Sequence, residues 1–117
     1  MAQRIGIAIC VVCSYYDITT EQLFSASHKW QYADARAVIC YILHEQWSMS
    51  LTAVGTLLHR HHSSVICAIR KIKTWIDNPK IFSKEIKIVD AIIESIDCMI
   101  EENNKKDTEH DTERIST

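Results

Sequence analysis

Glycine and proline are almost missing from this chain: 117 residues hold two glycines, Gly6 and Gly55, and one proline, Pro79. Folds built from many short strands need glycine for positive-φ turns and proline for fixed ones, so their scarcity argues for helices. Long apolar runs are missing too, and none approaches the ~20 residues that span a bilayer. Ile5 to Cys13 follows Arg4 in the manner of a signal peptide, but no small-residue cleavage site follows, and the stretch reads as a buried helix. Two glycines so far apart do not form a G-x-x-x-x-G-K-[ST] loop, so no nucleotide and no other cofactor is expected. The cysteines are Cys10, Cys13, Cys40, Cys67 and Cys98, an odd set mostly embedded in apolar helical patterns. They read as free thiols of a reducing cytoplasm and not as a disulfide framework.

What is present is a core-forming, unevenly charged chain. Apolar residues make up 47% and charged residues 24%, which with this length fits one soluble domain. The net charge of −2 conceals a strong asymmetry. Residues 28–87 carry nine Lys and Arg against Asp34, Glu45, Asp77 and Glu85, whereas residues 88–117 carry nine acids against three bases. A basic middle of this kind suits a polyanion. Charge alone equally fits a solvated surface with an acidic tail.

Apolar spacing predicts six helices. Ile5, Ile9, Val12 and Tyr16 mark one face of a helix over Gln3–Tyr16. A short helix over Thr20–Ser25 has Thr19 and Gln22 placed for a capping box, with Leu23 and Phe24 as anchors. After a loop over Ser25–Gln31, a long helix over Tyr32–Trp47 carries Ala35, Val38, Ile39, Ile42 and Leu43. Ser50 caps a helix over Leu51–Leu58 in which Leu51, Val54, Leu57 and Leu58 face inward. Val65, Ile69, Ile72 and Ile76 mark its companion over His62–Asp77, which Asn78-Pro79 ends. A last helix over Ser83–Glu102 carries Ile86, Val89, Ile93, Ile96 and Ile100. Residues 103–117 are almost wholly polar and are expected to be a disordered tail. One helical domain therefore covers residues 1–102, with a helix-turn-helix at about 51–77.

That pair of helices carries the chemistry. Opposite the apolar stripe of the second helix lie Ser63, Ser64, Cys67, Arg70, Lys71 and Thr74, preceded by Arg60, His61 and His62. No acid occurs between Glu45 and Asp77. Arginine offers a planar fork for guanine edges, and small residues at a helix start permit close approach to a groove floor. Free N–H groups and the helix dipole attract an anion there. Arg70, Lys71 and Lys73 suit phosphates, which position a protein without reading sequence. An amphipathic helix with a merely solvated basic face has the same pattern.

The stretch from Leu51-Thr-Ala-Val-Gly55 through Leu58-His-Arg-His-His-Ser-Ser-Val65 to Arg70-Lys71-Ile72 resembles the C-terminal DNA-binding domain of the bacterial replication initiator DnaA. Val54-Gly55 stands on that family's Ile-Gly pair. Arg60, His62, Ser63, Ser64 and Val65 match its Arg-Asp-His-Thr-Thr-Val element, and Arg70-Lys71-Ile72 its Arg-Lys-Ile. The likeness extends over about residues 5–76 and implies an all-α, Trp-repressor-like helical domain with an additional C-terminal helix. It also implies sequence-specific recognition of double-stranded DNA, in replication initiation or its regulation on a chromosome or mobile element, and a place in the bacterial nucleoid. The base-reading residues would be Arg60, His61, His62, Ser63, Ser64 and Cys67. The phosphate contacts would be Lys29, Arg36, Ser50, Arg70, Lys71 and Lys73. Three departures stand out. His61 replaces the family's aspartate, Leu58-His59 replaces its glycine pair, and Ala26–Gln31, with His28 and Lys29, replaces its basic minor-groove loop.

Other constellations are weaker. Cys10-Val-Val-Cys13 has zinc-ligand spacing, with histidines at 59, 61 and 62, but it lies inside an apolar helix with no turn to present it. Ser63 and Ser64 adjoin His62, yet sequence neighbours on a helix do not face each other, so no enzyme is expected. A protein–protein adaptor is the alternative, on Trp30, Trp47, Trp75 and the acidic last helix, which could also self-associate.

Overall fold

The computed structural model describes residues 2–27 and 29–116, with side chains described up to Asn103 except Ala2. His28, placed by the sequence reading in the basic loop, lies outside the described residues. Six helices follow one another: α1 Ala2–Tyr16, α2 Thr20–Phe24, α3 Trp30–Tyr41, α4 Leu51–Leu58, α5 His62–Asp77 and α6 Ser83–Ser116. The chain is all-helical, as its composition implies. The backbone of α6 runs on past Asn103 to Ser116. Nothing after Pro79 is glycine or proline, so no residue there breaks a helix.

The long helix expected over Tyr32–Trp47 starts earlier and changes pitch. Its last stretch, Ile42–Gln46, is a π-helical turn. The Trp47 N–H reaches back to the Ile42 carbonyl at 3.1 Å and Met49 to Leu43 at 3.0 Å. Ser48 then turns the chain with φ 58°. Ile42 and Leu43, sequence neighbours in this turn, are both buried.

One core joins all six helices. Ala8, Val12, Leu23, Val38, Ile39, Leu43, Val54, Leu58, Val65, Ile72, Ile92 and Ile96 are shut off from solvent or nearly so. Each large apolar side chain buried in this way contributes about 1.5–3 kcal/mol relative to exposure. Two positions differ from the spacing argument. Ile76 is 43% exposed and its neighbour Trp75 is 5% exposed. The indole meets Phe82 in the following loop, ring centroids 6.3 Å apart, so the bulkier ring takes the inner place at the end of α5. On α6 the inward face includes Ile92 as well as Val89 and Ile96. This helix packs along α1, where the Tyr15 hydroxyl and Ser95 Oγ lie 2.9 Å apart.

α1 packs against both α6 and α3, α3 packs against α5, and α4 packs against α5. No described helix is long and apolar enough to cross a membrane.

Candidate nucleic-acid interface

The turn between α4 and α5 is built on one glycine. His59 ends α4 in the left-handed conformation, φ 56° and ψ 43°. The Arg60 N–H then donates to the Gly55 carbonyl at 2.8 Å, closing the helix end. That loop lies so close to α4 that a Cβ on Gly55 would sit 2.6 Å from the Arg60 carbonyl oxygen. Any side chain at position 55 pushes the turn away and changes the angle between the two helices. The glycine of the Val54-Gly55 pair is thus a packing requirement, while His59 carries the left-handed strain that glycine avoids.

α5 begins with its own cap. His61 has extended geometry, φ −67° and ψ 148°, and its Nδ1 accepts the Ser63 N–H at 3.2 Å. His61 therefore caps the helix with a ring nitrogen, where an aspartate would use a carboxylate oxygen. The His61 and His62 rings stack at 4.2 Å between centroids. Ser50 caps α4 in the ordinary way, accepting the Ala53 N–H at 3.1 Å. Its hydroxyl is exposed and accepts that bond through its oxygen, so its own proton remains available to a phosphate.

Beyond the cap, the outer face of α5 is open. His62, Ser63, Ser64, Cys67, Arg70 and Thr74 are all exposed. Ser63, Cys67, Arg70 and Thr74 recur every three or four residues and form one stripe directly opposite Val65, Ile69 and Ile72. Thr74 hydrogen-bonds only within the helix, to the Arg70 carbonyl at 2.9 Å. Arg70 forms no ion pair among the described residues.

The flanks of α5 are different. Lys71 Nζ lies 2.5 Å from a carboxylate oxygen of Asp34 on α3. Lys73 Nζ lies 2.8 Å from Glu45 in the π turn, and its hydrogen bond holds that carboxyl below the usual glutamate range. The sequence segment between Glu45 and Asp77 is free of acid, but the fold brings two acids alongside it. Two of the expected phosphate contacts thus have internal partners, although both lysines remain substantially exposed.

Arg36 and Arg60, expected at phosphate and at base edges, have internal backbone partners. Arg36 Nε donates to the Leu23 carbonyl at 2.8 Å and its Nη2 to the Ser27 carbonyl at 2.5 Å. Arg60 Nη2 donates to the Ser25 carbonyl, and its Nε is buried without a partner. The physical reason is that the carbonyls of Leu23, in the last turn of α2, and of Ser25 and Ser27 beyond it have no helical donors. Burial, with the Arg60 guanidinium beside it, lowers Arg36 below the usual arginine range. His59 adds an edge contact to Phe24 at 6.3 Å. The turn of the helix pair and the loop before α3 are consequently locked together. Sequence spacing carried no signal for this, because the partners are backbone atoms up to 35 residues away.

A groove of about 330 Å³ runs between α3 and α5, lined among others by Ala33, Arg36, Arg60, Ser64, Cys67 and Lys71. The deeper Cys40 thiol is pushed up to about 12 by burial, so it holds its proton and is no nucleophile. Burial, then neighbouring Cys10, also raises Cys13 on α1. Cys10 faces solvent while Cys13 faces the core, so the C-x-x-C pair is divided between two environments. No group of three or more His, Cys, Asp or Glu side chains suited to a metal occurs among the described residues.

A short glycine-locked turn, a capped second helix and an exposed polar face with basic flanks define a helix-turn-helix nucleic-acid-binding domain. The model of the bacterial dnaA protein helix-turn-helix matches residues 7–72, more than half of the chain. The chain belongs to that DNA-binding family. The chromosomal replication initiator protein DnaA of Desulfatibacillum aliphaticivorans is 32% identical over 75 residues, covering 64% of this chain and 16% of that protein. The protein of the same name from Thermoanaerobacter sp. (strain X514) is 30% identical over 76 residues, 65% of this chain and 17% of its own length. That of Mycoplasma genitalium is 27% identical over 67 residues, 57% and 15% respectively. The chain spans about one sixth of the length of these relatives.

Proposed function

We propose that this chain recognises particular sequences in double-stranded DNA by laying the outer face of α5 in the major groove. The observation that carries the reading is the exposed stripe of Ser63, Cys67, Arg70 and Thr74, bordered by His61, His62 and Ser64 at the helix start. Small side chains at that end allow the backbone to approach base edges closely. His61, His62, Ser63, Ser64 and Cys67 are the candidates for base contact. Arg70, at the edge of the stripe, suits phosphate, and Lys29, exposed ahead of α3, suits it too. Lys71 and Lys73 reach phosphate by exchanging Asp34 and Glu45 for it. Arg36 and Arg60 act through the loop that they hold. The names of the relatives support a role in replication initiation or its regulation, in the cytoplasm at the nucleoid.

Fluorescence anisotropy with labelled duplex, read over a salt series, tests this function. Affinity should fall linearly with salt on logarithmic axes, because phosphate contacts release counterions. Selection from random duplexes should then enrich a common site. Folded protein that binds no duplex at low salt contradicts the reading and favours the adaptor alternative. Binding with no enriched site contradicts sequence recognition.

A further inference from the structure

α3 and α5 pack against each other, yet a groove of about 330 Å³ stays open between them. The facing residues explain the space. Ala33 and Ala37 line it from α3, Ser64 and Ala68 from α5, and all four are too small to fill it. Interiors are otherwise close-packed, so an unfilled space beside the core forgoes dispersion contacts. Its volume lies at the lower end of the range, about 300–1,000 Å³, in which small ligands are held. The lining is chemically divided. Ala37, Leu58 and Val65 are buried and make an apolar wall. Arg36, Arg60 and Lys71 are the charged lining residues, and no acid lines the groove. Lys71 has its ion pair with Asp34, but the two arginines have only carbonyl partners among the described residues. A guanidinium carries more N–H donors than those carbonyls use. Arg60 Nε is buried with no partner, and a buried donor left unpaired costs free energy that a bound acceptor recovers. Arg36 is lowered by burial and then by the neighbouring Arg60 guanidinium, a repulsion that an anion beside them would relieve.

We propose that this groove binds a small organic anion with a compact apolar body, an aromatic carboxylate by class, with the body against the Ala37, Leu58 and Val65 wall and the carboxylate facing the Arg36, Arg60 and Lys71 cations. A bare phosphate or acetate would meet the cations and leave the wall empty. Ser64, Cys67 and Lys71 belong both to the groove and to the exposed surface of α5, so the bound anion and a duplex exclude each other. That exclusion rests on the proposed duplex binding, whereas the anion site does not.

The test is an NMR titration of labelled protein, without DNA, using naphthoate, its neutral amide naphthamide, and acetate. Naphthoate should give saturable amide shifts on both walls, at Ala33, Ala37, Ser64 and Ala68. Naphthamide should bind roughly tenfold more weakly, and acetate should not saturate. Ala68→Leu fills the groove from α5 and should abolish the naphthoate shifts. Ala33→Leu fills it from α3, should do the same, and replaces the first variant where that one does not fold. In the anisotropy assay at constant ionic strength, naphthoate should raise the apparent Kd of the duplex. No saturable shifts, equal binding of the amide or of acetate, or undiminished binding by a folded alanine-to-leucine variant overturns the site and leaves duplex recognition standing. Saturable naphthoate binding with an unaltered duplex affinity overturns the exclusion. Folded wild type that binds naphthoate but no duplex removes duplex recognition, and the exclusion with it, while supporting the site.

Discussion

The outer face of α5 and its two flanks are made of similar residues, yet they are in different states. On the face, Arg70, Ser63 and Cys67 meet solvent. On the flanks, Lys71 and Lys73 meet carboxylates, and nearby Arg36 and Arg60 meet carbonyls. Counting charges along the sequence treats all of these as available to a polyanion. The fold divides them into one cation without an ion pair, two that must exchange partners, and two that organise the backbone. Affinity for DNA therefore depends on the competition between phosphates and internal acids as well as on the number of basic residues.

The largest effect is expected where the helix pair is braced. Gly55→Ala adds a helix-favouring methyl but drives it into the Arg60 carbonyl. Thermal unfolding should show a loss of about 1–3 kcal/mol, with DNA binding falling alongside. Gly6→Ala is the control, because nothing lies within 4 Å of its Cβ position. There the same change should stabilise by ~0.5–1 kcal/mol, the ordinary helix preference. Equal signs at the two sites would refute the close approach of the turn.

The comparison between face and flank is broken most cleanly by charge. Arg70→Ala should weaken all duplexes alike and lower the salt slope by about one. Asp34→Asn should have the opposite effect, releasing Lys71 and tightening binding roughly threefold to tenfold with a steeper slope. An unaltered affinity in Asp34→Asn would mean that the ion pair offers no competition to phosphate. The smallest effect belongs to the helix end. His59→Gly relieves a left-handed residue and should raise stability by up to about 1 kcal/mol, partly offset by the lost Phe24 contact.

These residues also show how far the sequence could be read. The helices α4 and α5 were legible because Ser50 caps the first, Asn78-Pro79 ends the second and the apolar spacing is regular, whereas the His61 cap was not. Their role in DNA binding was legible through the Val54-Gly55 and Arg-His-His-Ser-Ser pattern. The π turn was not, since both continuations of α3 bury apolar residues and only the fold decides between them. Nor were the internal partners of Arg36 and Arg60, because backbone carbonyls leave no mark in a list of side chains. The exchange of aspartate for His61 removes an ionised acceptor but leaves a ring nitrogen in its place. The structure retains that acceptor on Nδ1.

The central claim is that the surface centred on Ser63, Cys67 and Arg70 meets the duplex. Amide chemical-shift mapping of labelled protein, titrated with a selected duplex, tests it most directly. The largest shifts should fall on residues 61–74 and on Lys29, with α1 and the facing side of α6 silent. Shifts concentrated on α1 and α6, with α5 unmoved, would contradict it.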